Sequence, residues 1–263
     1  MSVFPSCRAD AVMRRTTIVV GALAALSGTV PGQAPTAKLV DSATTLLARA
    51  TPAGDTVMLK GAEALLERVV VAAPGDAWAL HWLAYAVYRR ATLEMGRYGK
   101  NVEVLLKRSQ DLLERSEQHG TIPENAALRS GVLGMRIGTS PLRGMTLGPQ
   151  SGMAMRKALS QGPDNPRVWL LRGIGAFNTP PMFGGGADNA VEYLQQALKL
   201  FSRDSAKPPA PTWGLEESHV WLGRAYVKLG KRDLARVEYL KALELEPGDV
   251  WVRTVLLPAL DKQ

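Results

Sequence analysis

Apolar and small residues recur through this chain three and four positions apart, the period at which side chains share one face of a helix. The pattern predicts helices at about 36–50, 56–73, 77–93, 101–118, 123–137, 150–161, 166–177, 187–202, 214–229, 232–245 and 249–260. No alternation of apolar and polar residues between turn signals appears, so the expected fold is all-α. Four stretches are rich in Gly and Pro or lack the helical period: Ala91–Lys100, Thr139–Gln150, Thr179–Gly186 and Arg203–Pro211. These are read as enlarged loops.

The helices repeat in pairs. The clearest unit runs from Glu216 to Asp249, with Gly223 and Tyr226 in its first helix, Ala235, Tyr239 and Ala242 in its second, and Pro247 after it. Small residues let two helices cross closely, aromatics fill the gap between them, and the proline starts the next turn. Ala62, Leu66, Val69 and Pro74 repeat the same spacing, and Ala190, Leu194 and Ala197 repeat it again without the proline. Ala158 and Pro163 keep only the last step.

This unit resembles a tetratricopeptide repeat, a helix–turn–helix module of about 34 residues. The resemblance implies a right-handed α-solenoid of about five repeats with enlarged loops, closed by a capping helix from Val250 to Leu260. The strings GTSPLRGMTLGP (138–149), NPRVWLLRG (165–173), NTPPMFGGG (178–186), APTWGLEE (210–217) and WVRTVLLPAL (251–260) are further similar to an exported bacterial subgroup of these proteins without assigned activity. That likeness implies the fold and export. It transfers no catalytic residue.

The amino terminus supports export independently. Met13-Arg14-Arg15 precedes an apolar stretch from Thr16 to Ser27, and a small-x-small ending follows at Gly32-Gln33-Ala34. This is the pattern of a secretory signal, with Met13 as a candidate start. The expected division is a signal peptide at 1–34 and a repeat domain at 35–263. The apolar stretch is shorter than the roughly 20 residues a membrane span needs. The expected location is periplasmic or secreted, with no stable membrane span after processing. An uncleaved anchor is the alternative.

Composition narrows the chemistry. Lys and Arg exceed Asp and Glu by 32 to 24 in 263 residues, giving +8, but the basic residues are scattered and form no run. A nucleic-acid partner is therefore not expected. The one cysteine, Cys7, lies in the expected signal, which leaves no disulfide and no thiolate ligand in the remainder. His81, His119 and His219 are isolated, and no P-loop, dinucleotide fingerprint or nucleophile elbow occurs. Gly173-Ile174-Gly175 falls inside a helix rather than after a strand. Glu216, Glu217 and Glu246 sit where solvated helix charges ordinarily sit. No catalytic residue, metal site or cofactor is expected. The one enzymatic arrangement left open is an acid pair assembled by the fold.

Binding residues follow from the repeat resemblance, which places the first helix of each pair on the concave face. That face receives Trp78, His81, Tyr85, Tyr88 and Arg89 near the start, then Arg167, Leu170, Ile174 and Phe177, then Glu217, Val220, Arg224 and Lys228. Aromatic and polar residues together are the composition of binding hot spots. Packing between repeats is the alternative role for Trp78 and Tyr85, and a satisfied buried position for His81. A second candidate surface is the edge carrying the enlarged turns. It presents Arg143, Met145, Met182 and Phe183, unless Met182 and Phe183 plug the groove instead. The expected function is a non-catalytic scaffold of the cell envelope that binds a protein or peptide segment. The alternative is a small-molecule or lipid carrier associated with a transport system.

Overall fold

The computed structural model describes residues 33–96 and 99–262. The expected signal lies outside the described residues except for Gln33 and Ala34, which open the first helix. Eleven α-helices follow in order among the described residues: α1 Gln33–Ala53, α2 Thr56–Ala72, α3 Ala77–Gly96, α4 Val102–His119, α5 Pro123–Thr139, α6 Gly144–Gln161, α7 Pro166–Asn178, α8 Ala187–Phe201, α9 Leu215–Lys228, α10 Arg232–Leu245 and α11 Leu257–Asp261. No strand occurs among the described residues. No described helix is long and apolar enough to cross a membrane.

Each odd-numbered helix through α9 packs on the even-numbered helix that follows it, giving five pairs. The odd helices also touch one another in succession, α1 on α3, α3 on α5, α5 on α7 and α7 on α9. They therefore form one continuous inner layer, and the chain is an α-solenoid. Local chemistry starts the helices where the turns require it. Asp55 Oδ1 accepts from Val57 N and Met58 N at the head of α2, and Asp76 Oδ1 accepts from Trp78 N and Ala79 N at the head of α3. Asn165 caps α7 just ahead of Pro166.

The repeat spacing corresponds to close helix crossings. A Cβ on Gly223 of α9 would lie 2.5 Å from Tyr239 Cε1 and 3.2 Å from the Ala235 carbonyl oxygen of α10. Gly173 of α7 meets Leu194 of α8 in the same way. Gly223→Val is therefore expected to force the last pair apart and lower stability by about 1–3 kcal/mol. Urea unfolding of the variant beside the parent chain measures this.

Two loop expectations are corrected. The stretch 139–150 is mostly helical, with a 3-10 turn at Pro141–Arg143 leading directly into α6 at Gly144. Pro149 lies in the second turn of α6 and has no N–H to offer the Met145 carbonyl. The stretch from Ala91 continues α3 as far as Gly96. The capping helix is present but interrupted. Leu257 N bonds to the Val252 carbonyl across a π-turn at Val252–Leu256. Pro258 next to it has no N–H to offer the preceding turn, and the ladder widens there.

Candidate functional site

The site is built on α3, the strap 202–214 that joins α8 to α9, and the inner face of α1. Helix α3 differs from its neighbours. Ala79 to Tyr88 are all buried, so the helix is covered on every side, including the side that an inner-layer helix would turn to solvent. The cover is the strap.

Two contacts fix the strap against α3, and a third holds the start of α9 beside it. Trp82 Nε1 donates to the Pro209 carbonyl at 2.9 Å. The Tyr85 ring stacks on Trp213 with centroids 4.8 Å apart and planes 12° from parallel. Arg89 Nη1 pairs with Glu217 Oε1 at 2.7 Å, just beyond the strap. The other end is tied by Arg167 Nη2 to Asp204 Oδ2 at 2.6 Å, with the buried guanidinium lying 5.4 Å from the Phe201 ring centroid. Gly214 ends the strap at φ +113, where a Cβ would lie 2.8 Å from Phe201. Only glycine fits that backbone and that space.

Beside the strap lies a cleft of about 860 Å³. Its walls are one face of α1, Trp78, Trp82 and Tyr85 of α3, residues 208–210 and 212–217, and Leu245 and Glu246 at the end of α10. Glu216 is the most perturbed acid in it. Burial pushes its pKa up to about 9, helped by the charges of Glu217 and Asp249 and by a hydrogen bond to Asp249. Asp249 is buried, and its Oδ1 accepts from Val252 N at 2.8 Å. This is an acid pair assembled by the fold, and Glu216 and Glu217 are therefore not the solvated helix charges the sequence implied. Glu216 Oε1 is buried with no other hydrogen-bond partner among the described residues, and Asp249 holds the start of the terminal helical segment. The pair is a structural clasp between α9 and that segment.

The remaining sequence-selected residues fall into three places. On α3, Trp78 is half-buried and lines the cleft, whereas His81, Tyr85 and Tyr88 are buried. His81 Nδ1 donates to Asn125 Oδ1 at 2.7 Å, Asn125 donates to Ser116 Oγ, and Ser116 donates to the Ala77 carbonyl. Burial lowers the His81 pKa, and the neutral ring ties α3, α4 and α5 together. On α9, Arg224 lies over Phe177, Trp221 and Trp251, and Lys228 Nζ donates to the Phe177 carbonyl at 2.7 Å. The third place is the turn edge. Arg143 is paired with Glu103 at 2.6 Å, while Met145, Met182 and Phe183 are exposed. Met182 and Phe183 do not plug the groove. Trp82, Trp213, Asp249 and Asp41 were not selected from the sequence, yet they form or border the site.

The repeat geometry now has an independent match. The family model described as tetratricopeptide repeat matches residues 216–249, which are α9, α10 and the turns around them. The chain carries a tetratricopeptide repeat. The HusA haemophore from Porphyromonas gingivalis is similar to it over 76% of this chain and 96% of its own, at 24% identity and a TM-score of 0.61. A thermophilic TPR protein from Thermus thermophilus is similar over 86% of this chain and 98% of its own, at 22% identity and a TM-score of 0.62. The Cut9–Hcn1 hetero-tetramer of the APC/C is similar over 88% of this chain and 41% of its own, at 18% identity and a TM-score of 0.53. At these identities the likeness establishes the fold of this chain and nothing more. No curated protein matches its sequence.

Proposed function

We propose that this chain is a non-catalytic interaction scaffold of the cell envelope, holding a peptide or protein segment in its concave groove. The TPR fold is typically such a scaffold. One observation carries the reading: the inner face already binds a proline-rich, non-helical segment, its own strap. It does so with an indole N–H on a backbone carbonyl and an aromatic stack on a side chain. A peptide supplies both groups, and the cleft beside the strap continues the same surface. The envelope location rests on the signal-like residues 13–34. Of the rival roles, catalysis has the weaker support, because the raised acid Glu216 keeps its proton beside Asp249.

A carrier of a small molecule is the second reading, supported by the volume of the cleft and by a haemophore with a similar fold. One experiment separates the two. The full chain is crosslinked in the envelope of its host, and copurifying species are identified by mass spectrometry. A protein partner at fixed stoichiometry, lost in Asp41→Lys, is the expected result. Asp41 is exposed on α1 at the cleft, so the variant keeps the core intact. A folded chain recovered without a protein partner but with a low-mass species in its native mass spectrum would favour the carrier.

A further inference from the structure

The cleft contradicts the charge of the chain that carries it. The chain has an excess of Lys and Arg, +8 in all, yet no Lys, Arg or His lines the cleft, and five acids do: Asp41, Asp76, Glu216, Glu217 and Glu246. Two of these are compensated, Glu217 by Arg89 and Glu216 by its hydrogen bond to Asp249. Asp41, Asp76 and Glu246 have no ion-pair partner among the described residues. Asp76 caps α3 through Oδ1, and Glu246 Oε1 accepts only from Gly248 N at 3.2 Å. Three negative charges thus face one concavity whose aromatic walls are Trp78, Trp82, Tyr85 and Trp213. Carboxylates beside aromatic rings are the two groups that hold an ammonium or guanidinium.

A second observation is independent of charge. Two residues that line the cleft carry a buried donor with no acceptor among the described residues: Trp213 Nε1 and Thr51 Oγ1. A buried unpaired donor costs about 1–3 kcal/mol. Trp82, on the same wall, shows how such an indole is satisfied, by a backbone carbonyl. A metal ion or a simple amine offers no acceptor to Trp213. A peptide offers carbonyls and a cationic side chain together.

We propose that the cleft receives a lysine- or arginine-bearing peptide segment, its cation held by Asp41, Asp76 and Glu246 over the aromatic wall and its carbonyls accepting from Trp213 Nε1 and Thr51 Oγ1. This rests on the groove reading and adds the chemical class of the partner. Binding opposes the overall charge of the protein, so a preference for a basic peptide reports the cleft rather than the general surface. A basic segment binds there more weakly as salt rises.

The test uses three degenerate fluorescein-labelled nonapeptide pools that differ only in two fixed central residues, both Lys, both Gln or both Glu. Each is titrated with the full chain and followed by fluorescence anisotropy. The Lys pool is expected to bind at least about tenfold more tightly than the Gln pool, and the Glu pool more weakly than either. The double variant Asp41→Asn/Glu246→Gln, with its helicity checked by circular dichroism, removes the preference and keeps the Gln-pool affinity. Equal affinity for all three pools, a preference for Glu, or a Lys preference that survives the double variant would overturn the basic-partner inference and leave the groove reading standing. Binding by none of the pools would overturn the groove reading itself.

Discussion

Replacing Tyr85 with alanine is expected to lower stability by about 3–5 kcal/mol, the usual cost of emptying a buried aromatic site. It is also expected to free the strap from α3. Tyr85 is 4% exposed and contacts both the core and the strap. Its ring packs edge-on against Trp82, lies near Tyr88 and stacks on Trp213. Removing it leaves Trp213 without its stacking partner and opens a cavity beneath the Trp82–Pro209 hydrogen bond. The backbone of residues 203–214 makes few helical bonds of its own, so the strap depends on these side-chain contacts. Urea unfolding should show the stability loss. Hydrogen–deuterium exchange should show faster exchange in 203–214 for Tyr85→Ala but not for Tyr85→Phe, which keeps the ring. Unchanged strap exchange in Tyr85→Ala would mean the stack does not hold the strap.

The second large effect has the opposite sign. Glu216→Gln is expected to stabilise the chain, and more so as pH rises. The Glu216 pKa stands at about 9 in the folded chain against 4.5 for an ordinary glutamate. Between those values the folded chain retains a proton that the unfolded chain has released. Stability contributed by this group is complete below pH 4.5 and falls as pH climbs toward 9. Glutamine keeps a donor for Asp249 and has no ionised form to favour unfolding. Near pH 8 the variant should exceed the parent by roughly 1–3 kcal/mol, discounted from the full shift because Glu216 interacts with neighbouring carboxylates. Below pH 5 that pH-dependent advantage should disappear. Thermal melts across this range measure it. A variant no more stable than its parent at pH 8 would show that Glu216 is ionised in the folded chain.

The helix pairs were legible in the sequence because close crossings have few chemical solutions. Ala235, Tyr239 and Ala242 against Gly223 mark one crossing, and Ala62, Leu66 and Val69 show the same spacing where the consensus is weaker. The first turns of helix α6 were hidden by Gly144, Gly148 and Pro149, residues that punctuate most helices. The site was less legible, because it joins residues far apart in the chain. Trp82 meets Pro209 across 127 positions, and Arg89 meets Glu217 across 128. Periodicity reports which face of a helix is apolar, not what arrives to cover it. Helix α3 still carried a clue. Trp78, Trp82, Tyr85 and Tyr88 leave it without a polar face, and Trp213 stands among prolines in a loop, where a solvated indole would be costly. Two unsatisfied apolar features in one chain are candidates to cover each other. Glu216 and Asp249 carried no such clue, since either alone reads as a surface charge.

Hydrogen–deuterium exchange of the full chain, with and without the partner recovered from the envelope, tests most directly that the groove is the binding surface. Slowed exchange in α1, in the first half of α3 and across residues 208–217 is the predicted footprint. Protection confined to the turn edge at 141–150 and 179–186, with the cleft unchanged, would contradict the account.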